Sequence, residues 1–255
     1  MMDQYFEVSY RIDLEKDFHK YLIKFYRKCP GYLFGIFGVF SGGGSILIAF
    51  LLYLSADSSY SISTHYISDL GIGPNGANLC FAIGLPLYGS IIFFYHLYEI
   101  HKSSNLKNNK ILLIPIWFGL ISYSMGGILA GLFPVNLLMH SVAAFLYFMG
   151  SIVYYSILII STLLKNKKSL LFSILCGTIL IVYCLFASIS IVSQLVPEIL
   201  NFISITFCEW LTLFFHFPAI LIRSLYLLIV RKLAERKKLS DVDLLVILNR
   251  GYVPT

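Results

Sequence analysis

The stretch Lys110 to Lys168, KILLIPIWFGLISYSMGGILAGLFPVNLLMHSVAAFLYFMGSIVYYSILIISTLLKNKK, decides the fold. Its apolar residues fall in two runs, about 111–133 and 136–164, parted by Phe133-Pro134-Val135-Asn136. Each run holds the roughly 20 apolar residues with which a helix crosses about 30 Å of hydrocarbon. Lysines stand at both ends, and no Lys or Arg lies between the runs. Basic residues of short loops stay on the cytoplasmic side. The stretch therefore reads as a helical hairpin that leaves the cytoplasm and returns to it.

Working outward, the same pattern repeats. Six spans are predicted at about 31–54, 78–98, 111–133, 136–164, 170–193 and 203–230. Of the 19 lysines and arginines, all but Arg223 lie in four segments. The first tail carries Arg11, Lys16, Lys20, Lys24, Arg27 and Lys28, and the second–third connection carries Lys102, Lys107 and Lys110. The fourth–fifth connection carries Lys165, Lys167 and Lys168, and the last tail carries Arg231, Lys232, Arg236, Lys237, Lys238 and Arg250. The other three connections hold Asp57, Asp69 and Glu198 and no basic residue. The fold class expected is all-α: a polytopic membrane helix bundle of six transmembrane helices with both termini cytoplasmic. The long 55–77 loop then faces outward or into a lumen. The domains are a 1–30 tail, a 31–230 transmembrane domain and a 231–255 tail.

Composition agrees. The chain is 58% hydrophobic and 13% charged, with a mean hydropathy of +0.81, which excludes an ordinary soluble domain. The net charge of +6 reflects the positive-inside bias, with some attraction to anionic lipid, and is not a nucleic-acid signal. The first 30 residues are too polar for a cleavable signal peptide, so the first span is expected to act as its own insertion signal. Cys29 is juxtamembrane, a palmitoylation candidate or an inert thiol. Cys80, Cys176, Cys184 and Cys208 fall within spans without metal spacing. A Cys80–Cys208 disulfide is conceivable by depth; small core residues are the favoured reading.

Residues 12–28 carry Leu14, Phe18, Tyr21, Leu22 and Phe25 at helical spacing, which predicts an amphipathic helix in the cytoplasmic interface. The first span contains Gly31–Gly35 and Gly38–Gly42, and the third Gly127–Gly131, each a GxxxG pair. Small residues let helices approach closely in lipid. Packing within one bundle is the first reading of them, and a homo-oligomer the second. Pro86, Pro115 and Pro218 are expected to kink their helices.

Polar groups inside a membrane are costly and each needs a reason. Glu209, His216 and Arg223 are seven apart in the sixth span, so they form one stripe with about 20° of drift per step. The stripe is expected to face the bundle interior or a wet cleft, with Arg223 snorkelling to the cytoplasmic end. His96 and His101 read as interface residues. The densest polar segment is Ser58 to Gly76, in which Asp69 to Gly76 is rich in turn formers. Tyr60, Ile62, Tyr66 and Ile67 are costly to leave in water, so the loop is expected to pack on the bundle mouth. His140 follows Phe133-Pro134 at the same depth as Glu209. His65, Asp69, His140 and Glu209 are thus expected to converge near the outer face. They could act as a general base, hold a metal or bind a lipid headgroup. No spacing among them is a metal signature, and neither a metal nor a cofactor is assigned.

Three segments carry a resemblance. Tyr66-Ile67-Ser68-Asp69-Leu70-Gly71 with Pro74 after it resembles the loop signature of the Frag/DRAM/Sfk family. His140-Ser141-Val142-Ala143-Ala144-Phe145-Leu146, continuing to Gly150 and Val153-Tyr154, is similar to that family's fourth span, and Glu209-Trp210 to its Glu-Trp pair. The resemblance covers about residues 33–230 and extends to uncharacterised prokaryotic membrane families with a Ser-Asp-Leu-Gly loop. The family loop often continues with a second proline and a glutamate, where this chain has Asn75-Gly76. The resemblance implies lipid-related roles: remodelling of GPI anchors, phosphoinositide and phospholipid organisation at the plasma membrane, and autophagy on lysosomal membranes. It also implies Ser68, Asp69, Gly71, His140, Glu209 and Trp210 as site residues.

Three functions stay open at this point. The first is lipid-headgroup binding or membrane organisation through His65, Tyr66, Ser68, Asp69, Gly71, His140, Glu209 and Trp210, with membrane lipids as partners and a cytoplasmic protein recruited by the basic tails. The second is a lipid-modifying hydrolase or acyltransferase using His140 with Asp69 or Glu209. The third is a transporter or lipid scramblase along the sixth-span stripe.

Overall fold

The computed structural model describes residues 20–103, 109–164, 170–196 and 204–236. Six long helices occupy them: α1 (Gly31–Ala56), α2 (Ala77–Lys102), α3 (Lys110–Leu132), α4 (Leu138–Leu164), α5 (Leu170–Leu195) and α6 (Ile205–Arg236). All six are long and apolar enough to cross a membrane. A 3-10 helix, Ile67–Ile72, lies in the connection between α1 and α2, and residues 20–28 are helical ahead of Pro30. Among the described residues there is no strand. Arg11, Lys16, Lys107, Lys165, Lys167, Lys168, Glu198 and the tail beyond Arg236 lie outside the described residues.

The helix ends follow from their cap residues. Asn109 accepts a hydrogen bond from the Ile111 amide at 3.1 Å and starts α3. Ser204 does the same for Phe207 at 3.1 Å and starts α6. Gly76, at φ 86°, supplies the left-handed residue before α2. α6 runs past 230 through Arg231 and Lys232 to Arg236, since nothing in that stretch breaks a helix.

Each helix packs on the next in sequence, and α6 closes the ring against α1. The end that carries the 57–76 connection is the loop end; the opposite end, where Lys102, Lys110, Arg231 and Lys232 gather, is the basic end. The outward faces are apolar: Phe37, Phe40, Leu47, Ile83, Ile114 and Phe118 are all exposed. The interior holds His96, Glu99, His140, Glu209 and His216. That is the reverse of a soluble protein and suits a molecule whose surroundings are lipid. The chain is an integral membrane protein by this architecture.

Glycine decides how closely the helices approach. A Cβ at Gly31, Gly38 or Gly42 would meet Tyr98, Ile92 or Tyr88 on α2, and one at Gly35 would meet Ser224 on α6 and then Tyr95. The GxxxG stripe of α1 is therefore covered within the chain. Gly127 and Gly131 also pack within the bundle, as expected, while the closest backbone approaches of the α3–α4 pair fall at other glycines. Gly119 faces the Tyr154 backbone, Gly126 that of Tyr147, and Gly150 that of Tyr123. Gly127 rests against the Tyr147 ring and Gly131 against Pro86.

Two further expectations change. His96 is 1% exposed and lies inside the bundle, because α2 continues to Lys102 and turns this face inward. Arg223 does not snorkel: α6 extends 13 residues beyond it to Arg236, and its Nε lies 3.7 Å from Glu99 Oε2. Its guanidinium also sits over the Phe172 ring, 4.4 Å from the centroid. Of the expected amphipathic helix, residues 20–28 are helical and tied to the bundle, since the Tyr26 hydroxyl donates to the Phe94 carbonyl at 2.8 Å and its ring packs edge-on to Tyr98. Tyr21 and Phe25 are exposed, and Leu14 and Phe18 lie outside the described residues. All five cysteines are free, so Cys80 and Cys208 are not bridged.

Candidate functional site

The loop end is built by strapping the 57–76 connection onto the start of α6. The first residues of α6 supply four side chains that bind loop backbone. Ser204 and Thr206 hydroxyls both donate to the Ser63 carbonyl at 2.7 Å. The Trp210 indole N–H donates to the His65 carbonyl at 3.0 Å. Glu209 Oε2 accepts from the Ile67 amide at 2.9 Å. A loop carries backbone groups that have no ladder to join, and burying them without partners costs about 1–3 kcal/mol each. The Ser-x-Thr-x-x-Glu-Trp stretch meets that need.

Within the loop, Asp69 Oδ2 accepts from the Tyr66 amide at 2.8 Å and fixes the start of the 3-10 helix. The Tyr60 hydroxyl donates to the Tyr66 carbonyl at 3.0 Å. Burial first, and then the nearby Asp69 and Glu209 carboxyls, push the Tyr60 phenol well above its ordinary range, so it remains a donor. At the loop's first turn the Ser59 hydroxyl and amide hold the Asp57 carboxyl below its usual value. Leu70 is fully buried, with Ile67 and Tyr60 beside it. Tyr66, by contrast, is exposed: its backbone is tied down and its ring is left outside.

Beneath this cap lies a small cavity of ≈ 50 Å³. Ile46, Ile67, Phe81, Leu85, Phe148 and Leu213 make its apolar wall, and Ser68, His140, Tyr147, Glu209 and Thr212 its polar groups. His140 and Glu209 are both buried. The His140 Nδ1–H donates to the Phe133 carbonyl at 2.8 Å. A carbonyl can only accept, so this bond selects the tautomer whose Nε2 is a free acceptor. Glu209 uses Oε2 on the loop and leaves Oε1 without a hydrogen bond. No protein-family model, no curated protein and no solved structure matches this chain.

The candidate residues therefore divide. Ser68, His140 and Glu209 line the cavity. His65, Tyr66, Asp69, Gly71 and Trp210 do not; they shape the cap above it. His65 stacks on Tyr60, with ring centroids 4.6 Å apart, and its Nδ1 bonds the Thr64 hydroxyl at 2.8 Å. Gly71 lets the Phe81 ring approach, since a Cβ there would lie 3.1 Å from it. Among the described residues no three His, Cys, Asp or Glu side chains gather where a metal could sit.

Sequence reasoning missed Tyr147 and Thr212 at this cavity. It also missed a buried tyrosine cluster deeper in the bundle. His216 is fully buried. Its Nε2 meets the hydroxyls of Tyr88 at 2.6 Å and Tyr123 at 2.7 Å, which also bond each other. Its Nδ1 meets the Tyr183 hydroxyl at 3.3 Å. The signal was present: Tyr88–Tyr95 and Tyr147–Tyr154 are each seven apart, the spacing of one helix face.

Proposed function

We propose that this chain is an integral membrane protein that holds the polar head of a lipid or similar amphiphile in its loop-end cavity. The observation that carries the reading is the pairing of His140 and Glu209 in one apolar-walled cavity, each with an acceptor atom unused. Two acceptors and no Lys or Arg favour a group that donates hydrogen bonds, an ammonium or a hydroxyl, over a bare phosphate. The apolar wall of Ile46, Phe81 and Leu85 suits the upper acyl chain. In this reading the loop end faces away from the cytoplasm, as the lysine and arginine pattern implies. The three segments that resemble the Frag/DRAM/Sfk family all meet at this cavity or its cap, and that resemblance also implies a lipid-related role.

The test is lipid retention. Purified protein would be loaded with a mixture of phosphatidylethanolamine and phosphatidylglycerol, stripped by detergent exchange, and its bound lipid measured by native mass spectrometry. Wild type should keep phosphatidylethanolamine preferentially, and Glu209→Gln should weaken that retention about tenfold, the loss of one charge-assisted hydrogen bond of 1.5 kcal/mol or so. Equal retention by both proteins, or a preference for phosphatidylglycerol, defeats the proposal.

A second reading is a lipid-modifying enzyme. Ser68 lines the same cavity as His140, whose free Nε2 is placed to act as a base. A defined lipid that accumulates without this protein, and that wild type but not folded His140→Ala clears, would select it.

A further inference from the structure

We propose that the bundle passes protons between two cavities through a hydrogen-bonded chain centred on His216. The loop-end cavity is its mouth, whatever else binds there, so this inference does not depend on the headgroup reading.

The second cavity, of ≈ 20 Å³, lies towards the basic end. Tyr95, His96, Glu99, Tyr155 and Arg223 line it, among apolar residues. Along α6, Glu209, His216 and Arg223 are spaced by about 10 Å, seven residues at 1.5 Å of rise each. Glu209 thus marks one cavity, Arg223 the other, and His216 the wall between them.

A line of polar side chains crosses this otherwise apolar wall. Tyr147 lines the loop-end cavity and accepts from the Tyr183 hydroxyl at 3.1 Å. Tyr183 in turn meets His216 Nδ1, and His216 Nε2 meets Tyr88 and Tyr123. Both ring nitrogens of one histidine are therefore in the chain, on opposite sides of the ring. Beyond it, the His96 ring lies 5.3 Å from that of Tyr123, and the Tyr155 ring 5.8 Å from that of His216. His96 Nδ1, His96 Nε2 and the Tyr155 hydroxyl are buried without a hydrogen-bond partner. Both residues line the second cavity, which has charged groups on its wall and room for water. Buried polar atoms in such a setting take water as partner, and water there continues the chain to Glu99.

An apolar core would have sealed the bundle at lower cost. Isolated polar groups at the centre of a membrane protein are expensive, and rows of them are the mark of proton relays. The step is balanced by exchange. A proton arriving through water from Glu99 and His96 passes by a tyrosine hydroxyl to His216 Nε2, while Nδ1–H passes to the Tyr183 oxygen and the Tyr183 proton passes to Tyr147, the direction in which Tyr183 donates. At each point one O–H or N–H bond breaks as the next forms. One proton enters as one leaves, no electrons move, and rotation of the hydroxyls restores the starting pattern. Glu99 with Arg223 faces the entrance, and His140 and Glu209 face the exit.

The experiment uses the full chain in phosphatidylcholine vesicles with an entrapped pH-sensitive dye and a potassium–valinomycin potential as driving force. Wild-type vesicles should take up protons well above protein-free vesicles. Tyr183→Phe, which keeps the ring and removes the hydroxyl link, and His216→Gln should each lower that flux about a hundredfold or to the protein-free level, the scale of losing a placed proton-transfer group. Tyr21→Phe, at an exposed ring, should leave it unchanged. Wild-type flux no greater than that of protein-free vesicles overturns the proposal, and so does folded, monodisperse Tyr183→Phe conducting like wild type. Loss of lipid retention in Glu209→Gln with intact proton flux would separate the two functions.

Discussion

Glu209 carries two opposed effects in one side chain. Its burial as a carboxylate is costly, yet its Oε2 is the partner of the Ile67 amide, which has no other. Removing the charge while keeping an acceptor should therefore differ from removing both. Glu209→Gln can still accept from Ile67 and should be as stable as wild type or more so. Glu209→Ala leaves the amide orphaned and should fall below Glu209→Gln by about 1–3 kcal/mol. Unfolding of the two variants in the same detergent, followed by near-ultraviolet circular dichroism, measures the gap; equal stability would mean that the loop does not rest on this bond. Trp210→Phe is the milder case. The ring contact with Phe50, at 5.6 Å, is largely kept, and the indole bond to His65 is lost. A cost of about 1 kcal/mol is expected by the same measurement.

At the scale of elements, the glycines of α1 sort by what they face. A Cβ at Gly42 would come within 2.8 Å of Tyr88, whose hydroxyl is tied to His216 and so cannot swing away without breaking that bond. Gly42→Ala should cost about 1–3 kcal/mol by overpacking. Gly44 has open space around its Cβ position, so Gly44→Ala should be neutral or gain up to about 1 kcal/mol of helix propensity. If the two substitutions cost the same, the α1–α2 contact is not set by these glycines. The helices themselves were legible because run length and the lysine pattern are local signals. What the glycines touch was not, because GxxxG reports closeness and not the partner. The close approach of α3 and α4 at Gly119, Gly126 and Gly150 follows no GxxxG frame and needed coordinates. The same holds for Asp69: its turn chemistry was readable, but whether its carboxyl faces the cavity or the Tyr66 amide depends on where the chain bends.

At the scale of the whole molecule, the polar interior and the apolar exterior define an axis, and the basic residues predict its direction. The sequence identified Glu209 and His140 as groups needing partners and set them at one depth. It could not supply Glu99 for Arg223 or four tyrosines around His216, since those meetings join helices far apart in the chain. The expected orientation rests on a different force. A lysine or arginine beside a span is retained on the cytoplasmic side during insertion, and Lys102, Lys110, Arg231 and Lys232 all sit at one end. Ser58→Cys in the exposed part of the loop and Lys232→Cys near the end of α6, each in a cysteine-free background, report the two ends independently. In intact cells, or in sealed vesicles of the native orientation if the protein is intracellular, a membrane-impermeant maleimide should reach one position before lysis and both after it. Labelling of Ser58→Cys first in intact cells places the loop-end cavity on the outer surface. Labelling of Lys232→Cys first would reverse the axis, and would mean that the direction in which the His216 chain opens to the cytoplasm is the opposite of the one the lysines imply.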